Sequence, residues 1–200
     1  MIPGTSGTPG ERRSAVAPHA LMVRLTAVRS DDVTEATRQR LRRRYLSLGI
    51  GELVAAGMFT GVGWVQVVPR LGGPGSSLPL CFALGPLVLI LLQAGAYWLA
   101  ARGWVVRSGM PPTLASTYRW FRTLNPVLLL VGLAGLTLTW PDEPTQAWFL
   151  LVVWGFGVIE YVNYFVVRLS YPPSVWLSRV GQRRTPRLVQ DIDVARPTVQ

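Results

Sequence analysis

Residues 148–168, WFLLVVWGFGVIEYVNYFVVR, decide how the rest of the chain is read. This run is long and apolar enough to cross a bilayer, which needs about 20 residues as a helix. Its second half nevertheless carries Glu160 and Asn163. A carboxylate within hydrocarbon is costly, so it faces a partner, a cavity or a transport path, and the first question is what Glu160 faces.

The composition extends this reading to the whole chain. Half of the 200 residues are hydrophobic, 15% are charged and the mean hydropathy is +0.31. The apolar excess is gathered into four long runs, which points to an all-α, four-helix transmembrane bundle. The net charge of +10 is carried entirely by arginines at the ends of those runs. Anionic lipid headgroups are therefore the expected counter-charge, and nucleic acid is not expected. Cys81 and His19 are the single residues of their kinds. A disulfide within the chain, a His/Cys metal cluster and a Ser-His-Asp or Cys-His catalytic set are all ruled out, and no metal or cofactor is expected. A lysine-bearing phosphate loop is ruled out as well, because the sequence contains no lysine.

Residues 1–29 mix Pro, Gly, Ser, Thr and Arg without a sustained period and read as a disordered tail. AVAPHALMVRL is interrupted by Pro18, His19 and Arg24, so it does not read as a signal peptide. Met22 is an alternative start that would leave residues 1–21 untranslated. Asp32 and Glu35 then resemble a capping box. From there Val33, Thr37, Leu41, Tyr45 and Leu48 follow one another at three- or four-residue steps, while Arg38, Arg40, Arg42, Arg43 and Arg44 cover the rest of the surface. Residues 30–45 are thus expected to form a basic amphipathic helix lying on the membrane, with its arginines on headgroups. A solvated helix that binds another protein is the alternative.

The membrane domain, residues 46–168, divides into spans at about 46–68, 80–101, 124–140 and 146–168. The first contains a Gly57-x-x-x-Gly61 pair, which permits close approach of another helix. It also contains Glu52, about 9 Å from the start of the span. Gly85-Pro86 is expected to kink the second span, where Gln93 and Tyr97 share a face. The third run is short. Either it is a brief helix capped by Asn125, or it begins earlier and Pro126 deprives the Arg122 carbonyl of its helical donor; the second is favoured. Residues 169–200 read as a soluble, partly disordered tail, apart from a short interfacial turn over SVWLSRV.

Nine arginines precede the first span, four lie in the middle loop and six at the C-terminal end, whereas the other two connections hold only Arg70. The positive-inside rule therefore places both termini and the middle loop in the cytoplasm. Trp98, Trp104, Trp120 and Trp176 then mark the inner interface, and Trp64, Trp140 and Trp148 the outer one. In this orientation Glu52, Glu160, Gln93 and Asn163 fall within about 8–12 Å of the inner ends of their spans. Together with Tyr97, Tyr164 and Asn125 they form a candidate polar site, for which Arg168, Arg122, Arg119 and Arg102 are candidate charge partners. Two carboxylates in one dry layer do not both stay charged cheaply, so a shared proton or an arginine partner is expected. A network of Glu160, Arg168, Asn163 and Gln93 that only fixes helix register is the plainer alternative.

Glu160-Tyr161-x-Asn163-Tyr164-Phe165-x-x-Arg168-Leu169-Ser170-Tyr171 resembles the last-helix segment of a group of small bacterial multi-pass membrane proteins with no assigned activity. The resemblance implies a true fourth helix with a shared polar motif, and no particular chemistry. Four spans with a glutamate in the first are also similar to small multidrug exporters. This chain departs from them in its longer connections and its glutamate–asparagine motif, which leaves an analogy of fold alone. Three functions remain open: a structural or interaction protein of the cytoplasmic membrane, with a protein partner or further copies of itself; a small proton- or cation-coupled transporter using Glu160; and, more weakly supported, a lipid-modifying enzyme.

Overall fold

In the computed structural model of the protein, residues 18–72, 77–104, 109–167 and 185–195 are described, with side chains from Glu35 onward. Most of these residues are helical, and there is no strand among them. Helix α1 runs from Pro18 to Val62 and continues through a π-helical turn, Gly63–Val67, into Val68–Arg70. Helices α2 (Leu78–Trp104), α3 (Pro112–Leu138), α4 (Pro144–Phe165) and α5 (Arg187–Val194) follow. Residues through Arg40 form a compact unit of their own; the bundle belongs to the second unit, from Leu41 onward.

Four helical segments, Glu35–Arg70, Leu78–Trp104, Pro112–Leu138 and Pro144–Phe165, are long and apolar enough to span a bilayer. They leave Val54, Met58, Val65, Leu130, Val131, Val152, Phe156 and Ile159 exposed. That is far more outward apolar surface than a water-soluble bundle presents, and it suits a lipid surround. The chain is a multi-pass membrane protein. Trp64, Trp140 and Trp148 are exposed at one end of the bundle and Trp120 at the other, as belts at two interfaces would be. Trp104, by contrast, is turned inward and buried.

Helix α2 is the central member, packing against both α3 and α4. It also meets α1, at a crossing of two glycines: a Cβ on Gly49 would press on Leu99 and on the Gly95 carbonyl, and one on Gly95 would press on Leu53 and on the Gly49 carbonyl. Gly57 and Gly61, the pair suggested by the sequence, have nothing among the described residues within 4 Å of their Cβ positions. The α2/α3 contact is closer still. Pro86 lies within α2 and has no N–H to offer the carbonyl of Phe82. Helix α3 brings Gly132 against that carbonyl, where a Cβ would stand 2.6 Å from the oxygen, and Gly135 against the Phe82 ring, which a Cβ would overlap.

The helix boundaries can be set against the sequence reading point by point. Helix α1 starts at Pro18, inside the stretch expected to be disordered. Proline suits a first helical position, and the Ala, Leu, Met and Arg residues that follow are good helix formers. No turn falls at 45/46, so the first span has no separate start there. The third span begins earlier, as the favoured reading has it: it is the second half of a 27-residue helix that passes through Pro126. The middle loop shrinks to residues 105–111, since α2 reaches Trp104 and α3 begins at Pro112. Near the C-terminus, α5 buries Leu188, Val189, Asp191 and Ile192 against the bundle, where a soluble, partly disordered tail was expected. Residues 1–17, the SVWLSRV turn with Trp176, and Arg168 lie outside the described residues.

Candidate functional site

The deepest polar groups form a closed pair. Gln93 on α2 donates from Nε2 to Asn125 Oδ1 at 3.2 Å, and Asn125 on α3 donates from Nδ2 to Gln93 Oε1 at 2.7 Å. Only 5% and 1% of these residues is exposed. Each amide thus satisfies the other across the interface. Tyr118, seven residues before Asn125 and so on the same face of α3, donates to the Gln93 carbonyl at 2.8 Å. Another carbonyl is served in the same way. With residue 126 a proline, Arg122 has no intrahelical donor, and Tyr161 on α4 donates to its oxygen at 3.1 Å.

Glu52 and Glu160 lie between α1 and α4, both half-buried. The Tyr164 hydroxyl donates to Glu52 Oε1. Glu160 is hydrogen-bonded to Asn163 and lies close enough to Glu52 for their charges to interact. Two of the expected associations do not form. Gln93 is committed to Asn125 and does not join Glu160, because α2 turns that face toward α3. Among the described residues no arginine makes an ion pair with either glutamate: Arg119 is half-buried, Arg122 is exposed, and Arg102 has its Nε buried without a hydrogen bond. The Trp98 indole N–H approaches the Tyr164 hydroxyl but makes no hydrogen bond of good geometry. Arg38, Arg40, Arg42, Arg43 and Arg44 are all exposed.

A third polar centre was not anticipated. Asp191 on α5 is 8% exposed and accepts on Oδ2 from the Tyr97 hydroxyl at 2.9 Å and from Trp104 Nε1 at 3.2 Å. Its Oδ1 pairs with Arg187 Nε at 3.0 Å. Tyr97 therefore belongs to this centre and not to the glutamates, although it stands four residues from Gln93. The sequence does contain a signal: Leu188 and Ile192 are four apart, as are Arg187 and Asp191, the spacing of one short amphipathic helix with an internal ion pair.

Comparison of the chain with protein-family models, with curated proteins and with solved structures yields no match. Among the described residues no three of His, Cys, Asp and Glu come together as a metal site would require. An apolar groove of about 190 Å³ between α2 and α3 is lined by Phe82, Pro86, Leu89, Leu128 and Val131 with Cys81 at its edge, and none of the polar residues above lines it. The arrangement provides three inter-helix clasps, Gln93 with Asn125, Tyr164 with Glu52, and Asp191 with Tyr97 and Trp104; of these the Tyr164–Glu52 clasp has a second carboxylate, that of Glu160, near enough to interact with it.

Proposed function

We propose that the chain is a structural or interaction protein of a bacterial-type cytoplasmic membrane, with both termini and the Trp104 end of the bundle on the cytoplasmic side. The observation that carries this reading is that the buried polar groups bond to one another across helices: Gln93 to Asn125, Tyr164 to Glu52, and Tyr97 and Trp104 to Asp191. Side chains committed in this way fix helix positions and leave few free donors or acceptors for a substrate. The exposed arginines from Arg38 to Arg44 are placed to hold anionic headgroups, and the partner is another protein or a second copy of the chain. Affinity capture of the tagged chain from native membranes tests this. A protein or an anionic lipid recovered in stoichiometric amount is the expected result; recovery of the chain with neither overturns it.

The neighbouring glutamates favour a second reading, a small proton- or cation-coupled transporter. A proton or small cation held between Glu52 and Glu160 relieves the repulsion that no described arginine relieves. In reconstituted vesicles Glu160→Gln is then expected to abolish ion-coupled flux while leaving the thermal transition near that of the parent chain. Equal flux in the two proteins removes the transporter reading.

A further inference from the structure

Helix α5 has only eight residues, fewer than an isolated helix needs to hold together in water. Its order comes from its seat. Leu188 and Ile192, 2% and 1% exposed, enter the same cluster as Trp104, Met110, Ala115, Tyr118 and Phe165, so the helix lies where α2 ends, α3 begins and α4 ends. Apolar contact alone leaves a short helix free to slide. The polar bonds fix it in one place: Asp191 Oδ2 takes both donors offered by α2, and Oδ1 takes the guanidinium of α5's own Arg187. If α5 shifts only part-way, the Tyr97 hydroxyl and the Trp104 N–H each lose their acceptor before water can reach them, a state that costs more than either the seated helix or its full release. Seated and unseated are therefore two discrete arrangements with little between them.

We propose that α5 is a latch in which the Asp191 carboxylate bolts the C-terminal helix over the end of the bundle, and that its release opens the aromatic cluster above the Gln93–Asn125 pair to water. Tyr118 joins the two levels: it packs edge-on to Tyr97, with ring centroids 5.8 Å apart, and donates to the Gln93 carbonyl. Unseating α5 thus loosens the outer neighbour of the deepest polar pair. This makes the C-terminal helix the natural point of control for whatever the bundle engages, and it holds for either reading of function above.

The test is the accessibility of Ala115, which is fully buried in the α5 seat. The full chain carries Cys81→Ser, to remove the exposed native thiol, and Ala115→Cys as reporter; it is placed in lipid vesicles and labelled with a membrane-impermeant maleimide. Slow labelling is expected in this background. Asp191→Ala is expected to raise the rate about tenfold or more, as loss of the carboxylate's bonds would. Asp191→Asn is expected to fall between the two, because one amide oxygen still serves Tyr97 and Trp104 while the Arg187 pair is lost. A chain ending at residue 184 sets the rate of the fully open state. Fast labelling of that truncated chain with slow labelling of Asp191→Ala overturns the bolt, since α5 would then be held by its apolar face alone. Slow labelling of the truncated chain overturns the latch altogether. An exposed reporter at the same end of α3, Thr113→Cys, must label equally in every variant, and a variant that fails this control is replaced by Tyr97→Phe, which removes one donor and is expected to give a smaller rise; no rise there counts against the bolt.

Discussion

Gly132→Ala is expected to force α2 and α3 apart. The added methyl carbon would stand 2.6 Å from the Phe82 carbonyl oxygen, and a backbone atom cannot swing aside as the tip of a flexible side chain can. The helices must separate, which loosens Phe82 against Gly135 and strains the Gln93–Asn125 pair in the same interface. Overpacking of this kind costs about 1–3 kcal/mol, and here the upper part of the range is expected because the obstacle is main chain. Equilibrium unfolding in mixed micelles measures it. Gly57→Ala is the matched control: nothing lies within 4 Å of its Cβ position, so the same substitution is expected to leave stability unchanged or raise it by up to about 1 kcal/mol through reduced backbone freedom. Equal losses at the two glycines would contradict the close α2/α3 approach.

The second large effect is expected at the amide pair, as a pattern across three variants. Gln93→Leu leaves both polar atoms of the Asn125 side chain without their partners in a dry interface, and Asn125→Leu does the same to Gln93. Each single variant is expected to lose about 1–2 kcal/mol, toward the upper end of inter-helix hydrogen bonds measured in membranes. The double variant is expected to lose less than either, because no orphaned amide remains and leucine suits the surroundings. The double-mutant cycle isolates the coupling. If the losses simply add, the two amides act independently and the reciprocal bonding is not what holds them.

The fold class was legible because a bilayer admits few solutions: four long apolar runs must be helices, whatever their neighbours. The third run was legible in part, since an earlier start with Pro126 inside the helix was the favoured reading. Pro126 makes the run look short, yet α3 continues through it, and the signal that this is tolerable lies on another helix, where Tyr161 supplies the Arg122 carbonyl. Which polar residues meet was harder to read. Depth can be counted along a span, and it places Glu52 and Glu160 at similar levels; in the structure the two are near enough to interact. Azimuth cannot be counted, so Gln93 was grouped with Glu160 although α2 turns it toward α3 and Asn125. The glycine contacts fail for the same reason: Gly57-x-x-x-Gly61 fits a local motif but faces outward, whereas Gly49 and Gly95 meet across 46 positions of sequence that no short pattern spans. The seat of α5 was hidden because an eight-residue helix rich in charge looks like tail until the donors awaiting its carboxylate are seen.

The crossing of Gly49 and Gly95 has a consequence for biosynthesis. The N-terminal rod leaves the ribosome well before the segment it rests on has been made, so it waits in the lipid with its glutamate unattended until the later ones insert. The Tyr164 hydroxyl that serves Glu52 arrives only with the fourth long helix, 112 residues downstream. Assembly of this protein is completed from its far end backward, and a chain interrupted after the third crossing would leave the first without its polar anchor.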